Sequence, residues 1–163
     1  MIQEPWPFVR ETSRKWYSHK FKGPGLRYEI GVCIKTGDIV WFHGPFPAGT
    51  PDITIFRMKL KQRLGIREKA IADFGYRGEP SKVSLPDDGL VSHDNRVAAS
   101  KARARHEALN GKLKRFSSLK QVFRHNRDKH QYFFRAAITV LQLLLNHGEL
   151  TFDIPDYHAT GFL

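Results

Sequence analysis

Three carboxylates stand where chemistry could be done. Asp52 follows the turn-rich run Gly44-Pro45-Phe46-Pro47-Ala48-Gly49-Thr50-Pro51, Asp73 closes the short run Lys69-Ala70-Ile71-Ala72 ahead of Phe74-Gly75-Tyr76, and Glu107 follows Asp73 with 33 residues between them. Two-metal phosphodiester chemistry asks for several carboxylates from separate elements at one place, where two hard cations about 4 Å apart activate a water and stabilise the leaving oxygen. Asp52 and Asp73 both fall where an element ends, so each carboxylate can leave the edge of a sheet while the backbone turns away. The three are therefore expected to converge on one polar sheet edge and to hold Mg²⁺ or Mn²⁺. Each also has a plain structural reading: Asp52 as a helix-start acid facing the dipole, Asp73 as a turn former, and Glu107 as an i,i+4 partner of Arg103. The histidines, His125 and His130 among them, lack a metal-ligand spacing. No nucleophile–base pattern and no phosphate-cradling glycine motif is present.

The elements that must position these groups can be read from periodicity. Tyr28-Glu29-Ile30-Gly31-Val32-Cys33-Ile34 and Asp38-Ile39-Val40-Trp41-Phe42-His43 are β-rich runs around Lys35-Thr36-Gly37, which predicts an antiparallel hairpin. Pro51-Asp52 opens a helical pattern through Ile55, Phe56, Met58, Leu60 and Leu64 that stops at Gly65. A short buried strand is predicted over 69–73, with a second near Val83. If the second hairpin strand runs parallel to 69–73, their ends share a sheet edge and Asp52 comes near Asp73. A long helix is predicted from Asn95 to Phe116, with Ala98, Ala102, Leu109, Leu113 and Phe116 on one stripe. Further helices are predicted over 119–125 and 129–146, the last ended by Gly148. Strand, strand, helix, strand, possible strand and then helices describe a mixed α/β (α+β) sheet flanked by helices, a ribonuclease H-like order. Residues 150–163 read as a loose tail.

At 163 residues and 40% hydrophobic content, the chain is the size of one domain with one core. The lone cysteine, Cys33, sits in an apolar run and reads as a small core residue; it forbids an intrachain disulfide and favours a reducing compartment. The N-terminal residues lack the charged and apolar regions of a signal peptide. The longest apolar stretch, 136–145, is interrupted by Thr139 and Gln142 and falls short of the roughly 20 residues that span a bilayer, so no membrane partner is expected. The charge is +11 overall, and residues 96–135 alone hold twelve basic and two acidic side chains. A block of that density predicts a polyanion partner, nucleic acid ahead of a membrane, because its helices are not edged with Trp and Phe; a solvated basic face is the plainer reading. On the long helix Arg103, Glu107, Asn110 and Lys114 share a stripe away from the apolar one. Arg103, Arg105, Lys112, Lys114 and Arg115 are the cations placed for phosphate contacts.

Four ordered blocks are more specific. They are Trp16-Tyr17-Ser18-His19-Lys20-Phe21-Lys22-Gly23-Pro24-Gly25-Leu26-Arg27-Tyr28-Glu29, the run from Gly44 to Asp52, Ala72-Asp73-Phe74-Gly75-Tyr76, and Ala104-Arg105-His106-Glu107 with Lys114-Arg115-Phe116. Together they resemble the DDE endonuclease domain of PIF/Harbinger-like transposases over nearly the whole chain. The resemblance implies a nuclear, metal-dependent DNA endonuclease and strand-transfer domain, with Asp52, Asp73 and Glu107 as metal residues, Asp73 and Glu107 catalytic, and Arg103 and Lys114 as accessory cations. It also implies DNA as partner, with a separate DNA-binding protein where the family's upstream helical region is wanting. The family's first aspartate lies on a central strand just ahead of the segment that Ile2-Gln3-Glu4-Pro5 resembles, so the resemblance implies a domain incomplete at its N-terminus and lacking that strand. A truncated or domesticated remnant that binds DNA without cutting it is the alternative. A general RNA-binding domain would explain the charge but leave the carboxylate blocks without a role.

Overall fold

The computed structural model describes residues 2–3, 13–19, 22–86, 93–121 and 123–148. The expected tail over 150–163 lies outside them. Two sheets and a set of helices make a mixed α/β architecture. The hub is β3 (Gly23–Val32), antiparallel to β4 (Ile39–Pro47), to β1 (Ile2–Gln3) and to β2 (Tyr17–Ser18). The β3–β4 hairpin turns where the sequence predicts: the Gly37 N–H donates to the Cys33 carbonyl at 2.8 Å, and Gly37 sits at φ +82°, open to glycine at no steric cost. Cys33 is thus a half-buried turn residue, not part of the core.

Alternation along β3 separates two faces. Tyr28, Ile30 and Val32, with Ile39 of β4, pack on a core of Leu109, Leu113, Leu119, Phe134, Ala137, Ile138 and Leu141 from α4 (His93–Leu113), α5 (Ser117–Lys120) and α6 (His130–Asn146). The Tyr28 ring stacks on Phe134 with centroids 3.6 Å apart. Gln142, which breaks the apolar run of α6, staples that helix to the hairpin: its Oε1 accepts from the Ile39 N–H at 2.8 Å and its Nε2 donates to Asp38 at 2.7 Å. The opposite face of the hairpin carries Glu29, Trp41 and His43, with Glu29 paired in register to His43.

A second, smaller core holds Phe56, Val83 and Leu85, with Ile53, Leu60, Leu64, Ala70, Ala72 and Tyr76 against it. Here the structure departs from the sequence pattern. The helix expected over 52–64 is two, α2 (Asp52–Met58) and α3 (Leu60–Arg63), because Lys59 leaves helical geometry at φ −144°. Ion pairs of Arg57 and Lys61 with Glu79, at 2.7 and 2.8 Å, hold the two pieces to the loop beyond. The strand expected over 69–73 is only β5 (Ala70–Ile71), and it pairs in parallel with β6 (Val83–Ser84), not with the hairpin. The helix expected over 119–125 is the single turn of α5, and α4 ends at Leu113, short of Phe116. No helix among the described residues is long and apolar enough to cross a membrane.

Two consequences for stability follow from this packing. Gly44 lies at φ +145°, and a Cβ there would sit 2.7 Å from the Tyr28 ring and 2.9 Å from the Arg27 carbonyl. Gly44→Ala is therefore expected to cost about 2–4 kcal/mol, combining backbone strain with overpacking; a denaturant midpoint within 0.3 M of the wild type would contradict it. His130 is fully buried, its Nδ1 2.7 Å from the Tyr28 hydroxyl and its Nε2 without a hydrogen bond. Burial lowers its pKa from the ordinary 6.5 to about 4. The unfolded chain takes up that proton as pH falls below 6.5, while the folded one refuses it until about 4. Stability is thus complete above pH 6.5, declines by about 1–3 kcal/mol on the way down to pH 4, and levels below. Melting temperatures across this window should fall less steeply for His130→Gln; equal slopes would contradict the assignment.

Candidate metal centre

Asp52 is the first residue of α2, set there by Pro51, whose extended backbone (φ −62°) precedes the helix. One of its oxygens, Oδ1, accepts from the Arg27 guanidinium at 2.9 Å, and the same Arg27 nitrogen donates to the Thr50 carbonyl at 2.6 Å. β3 thereby fixes the turn and the carboxylate together. Asp73 caps the 3-10 turn Phe74–Tyr76, its Oδ1 accepting from the Gly75 N–H at 2.9 Å. The two carboxylates meet across Gly75: a Cβ at that position would lie 2.8 Å from Asp52 Oδ2 and 3.0 Å from Asp73 Oδ1. Any side chain there would crowd both oxygens, so it is glycine that lets the two acids approach the same stretch of backbone.

What brings the pair together is packing. Phe56, buried on α2, meets the ring of Tyr76 edge-on with centroids 5.8 Å apart, so the turn that carries Asp73 is pressed against the helix that carries Asp52. Tyr76 is held protonated: burial raises its pKa, and Glu29, Asp52 and Asp73 push the same way, with Arg27 opposing. Its hydroxyl is a hydrogen-bond donor to an acidic surrounding rather than a titrating group.

The sequence left one member of this neighbourhood unassigned. Glu29 is buried at 4% exposure on the polar face of β3. Its Oε2 accepts from the Trp41 indole N–H at 2.8 Å, while Oε1 is buried with no hydrogen bond of normal geometry. Burial raises its pKa, Trp41 lowers it, Asp52 raises it, and the nearby Tyr76 hydroxyl lowers it. The available signal was an acid in the middle of an otherwise apolar strand.

Glu107 sits on an exposed part of α4. Among the described residues no group of three or more His, Cys, Asp or Glu side chains is arranged to hold a metal, so the structure pairs Asp52 with Asp73 and does not bring Glu107 into a three-ligand group with them. The cations of α4 divide. Lys114 and Arg115, just past its end, are exposed and Lys112 is half-buried. Arg103 is half-buried with Nη1 enclosed and without a hydrogen bond. Arg105, placed by the sequence among phosphate-contacting residues, is 5% exposed and donates to the Ile34 carbonyl at 2.7 Å. Its guanidinium braces the hairpin tip, packing over Gly37, because the turn offers it a carbonyl there. His106 and Asn110 likewise face inward, to the Ile30 carbonyl and to each other at 3.1 and 3.2 Å.

No curated protein and no solved structure matches the chain. A family model described as DDE superfamily endonuclease matches residues 2–145. With nearly the whole chain covered, and two acids from separate elements meeting across a glycine, the chain belongs to the DDE superfamily endonuclease family.

Proposed function

We propose that the chain is a transposase-type nuclease domain of PIF/Harbinger-like, ribonuclease H-like character, which cleaves and joins DNA phosphodiesters with Mg²⁺ or Mn²⁺ held at Asp52 and Asp73. Family membership supports a DNA-directed nuclease. The observation that carries the reading is the approach of one oxygen of each aspartate to the same residue, Gly75. Hard oxygen donors of full charge suit a hard divalent cation, and two of them from separate elements lie beside one glycine. A cation bound there supplies Lewis acidity and an acidified water. The chain's own residues do the rest. Arg27 holds Asp52 by one oxygen and offsets the repulsion between the two carboxylates; the Gly75 N–H orients Asp73; and Tyr76 offers a proton that it keeps. Arg103, Lys112, Lys114 and Arg115 are the residues we assign to the DNA side of the site. A DNA substrate makes the nucleus the working compartment, and a separate DNA-binding protein would choose the target sequence.

A second reading, a chain that grips DNA without cutting it, is favoured by the lack of a three-ligand group among the described residues. Nicking of supercoiled plasmid DNA separates the two. Cleavage that needs Mg²⁺ or Mn²⁺ and stops on chelation supports the nuclease. Salt-sensitive binding with no nicking in either metal supports the second reading and contradicts the first.

A further inference from the structure

We infer that the groove between β4 and α6 is filled by the chain's own segment 150–154, laid along the edge of β4 away from β3 with Leu150, Phe152 and Ile154 turned inward; this goes beyond the nuclease reading and does not depend on it. The groove has a volume of about 420 Å³, with Val40, Trp41 and Phe42 on one wall and Ile138, Thr139 and Leu143 on the other. An apolar cavity of about 150 Å³ takes a benzene ring, so the space suits one ring and two aliphatic side chains. Both walls are exposed at the rim, Val40 at 65% and Leu143 at 52%. β4 pairs with β3 along one edge, and among the described residues no strand lies on the other. Such an edge is a template for an added strand.

The occupant follows from where α6 ends. Its last turn closes on the carbonyls of Leu143 and Leu145, which accept from the His147 and Gly148 N–H groups at 3.0 and 3.2 Å. Gly148 then takes φ +98°, the left-handed turn that ends a helix and lets the chain reverse. A chain reversing there runs back along α6 from Leu143 toward Arg135, which is the line of the groove. β4 runs the same way, since the Ile39 N–H donates to Gln142 while the Phe42 ring meets Phe134 and Arg135. Between 142 and 135 the helix covers about 10 Å, a length that a five-residue strand spans at about 3.3 Å per residue. The sequence beyond Gly148 has the matching pattern: Leu150, Phe152 and Ile154 alternate with Glu149, Thr151 and Asp153, and Pro155 ends the run. Charge agrees as well. Residues 149–163 hold three acids and no lysine or arginine in a chain of net +11, and exposed Arg135 stands at the far end of the groove, where Asp153 would arrive. With Glu149 as the whole linker, the segment is presented at an effective concentration in the mM range, ahead of a second copy competing for the same groove.

The test is amide hydrogen exchange on the full chain, read by mass spectrometry, with Leu150→Asp, Phe152→Asp and Ile154→Asp together set against the wild type. Exchange in 40–43 and 138–143 is expected to speed up at least about 10-fold. Exchange in α1 (Ser13–Trp16) and in the β5–β6 pair, which do not line the groove, should keep its wild-type rate. Tyr157→Asp with Phe162→Asp, apolar losses outside the segment, should change 40–43 less than about 3-fold. Protection of 40–43 in the wild type should be the same at low and high protein concentration. Protection that is lost on dilution identifies a second copy as the occupant and overturns the inference. So do unchanged rates in the triple variant, an equal effect of the control pair, or acceleration spread evenly over β5 and β6, which would mean a general loss of stability rather than an uncovered groove.

Discussion

Replacing Asp73 with Asn is expected to lower Mg²⁺-dependent nicking of supercoiled DNA by at least about 10²-fold, the scale on which one lost electrostatic contact at a reacting centre slows an enzyme. The substitution is nearly isosteric. Its amide oxygen can still accept from the Gly75 N–H that now fixes Asp73 at 2.9 Å, so the 3-10 turn should keep its shape. What disappears is the negative charge facing Asp52 across Gly75. A neutral oxygen is a poor ligand for a hard cation, and the remaining carboxylate is already engaged by Arg27. Stability should stay within about 0.5 kcal/mol of the wild type, as for exposed substitutions elsewhere. Nicking that survives the change, in a variant that melts normally, would remove Asp73 from the chemistry.

Phe56→Ala is expected to have the largest effect on stability, about 3–5 kcal/mol, because it empties the centre of the smaller core. Phe56 is 0% exposed and lies among Val83, Leu85 and the half-buried residues of α2, α3 and β5. Its second consequence reaches the site. The edge-on contact with Tyr76 is what presses the Asp73 turn against α2, so a smaller side chain lets the two carboxylates part. Cation affinity should fall with stability, although no ligand has been touched. Phe56→Leu, which conserves most of the volume, should recover much of both. Loss of stability with cation binding at full strength would show that the pair is held by something other than this contact.

The meeting of Asp52 and Asp73 was legible in the sequence, but not for the right reason. Both were marked by turn chemistry at element ends, Pro51 before one and Gly75 after the other. The route expected was a shared sheet edge, with 69–73 parallel to the second hairpin strand. The route taken is a helix against a 3-10 turn, since β5 is two residues long and pairs with β6 instead. A single sequence shows that 70–72 is apolar and short; it does not show which neighbour will complete its hydrogen bonds. The hairpin itself was legible because alternation and Gly37 agree locally. Glu29 was not, because its value depends on pairing with His43 and on Trp41 donating across the strand pair. Arg105 was misplaced for a related reason. A helical wheel separates apolar from polar faces, yet α4 lies between α6 and the hairpin tip, and the second contact is made by polar groups reaching backbone carbonyls at Ile34 and Ile30.

A titration with Mn²⁺, followed by electron paramagnetic resonance on the wild type and on Gly75→Ala, tests most directly whether the Asp52–Asp73 pair holds the cation. Alanine removes no charge and no donor, and Gly75 is not at a positive φ, so the backbone tolerates it. Its methyl would stand 2.8 Å from Asp52 Oδ2 and 3.0 Å from Asp73 Oδ1, too close for either oxygen to stay where it is, so the pair must part. The predicted result is a wild type that binds Mn²⁺ and a Gly75→Ala variant that binds it at least about 10-fold more weakly with an unchanged melting temperature, a loss on the scale seen when a metal's surroundings are disturbed. Equal affinity in the two proteins would contradict it.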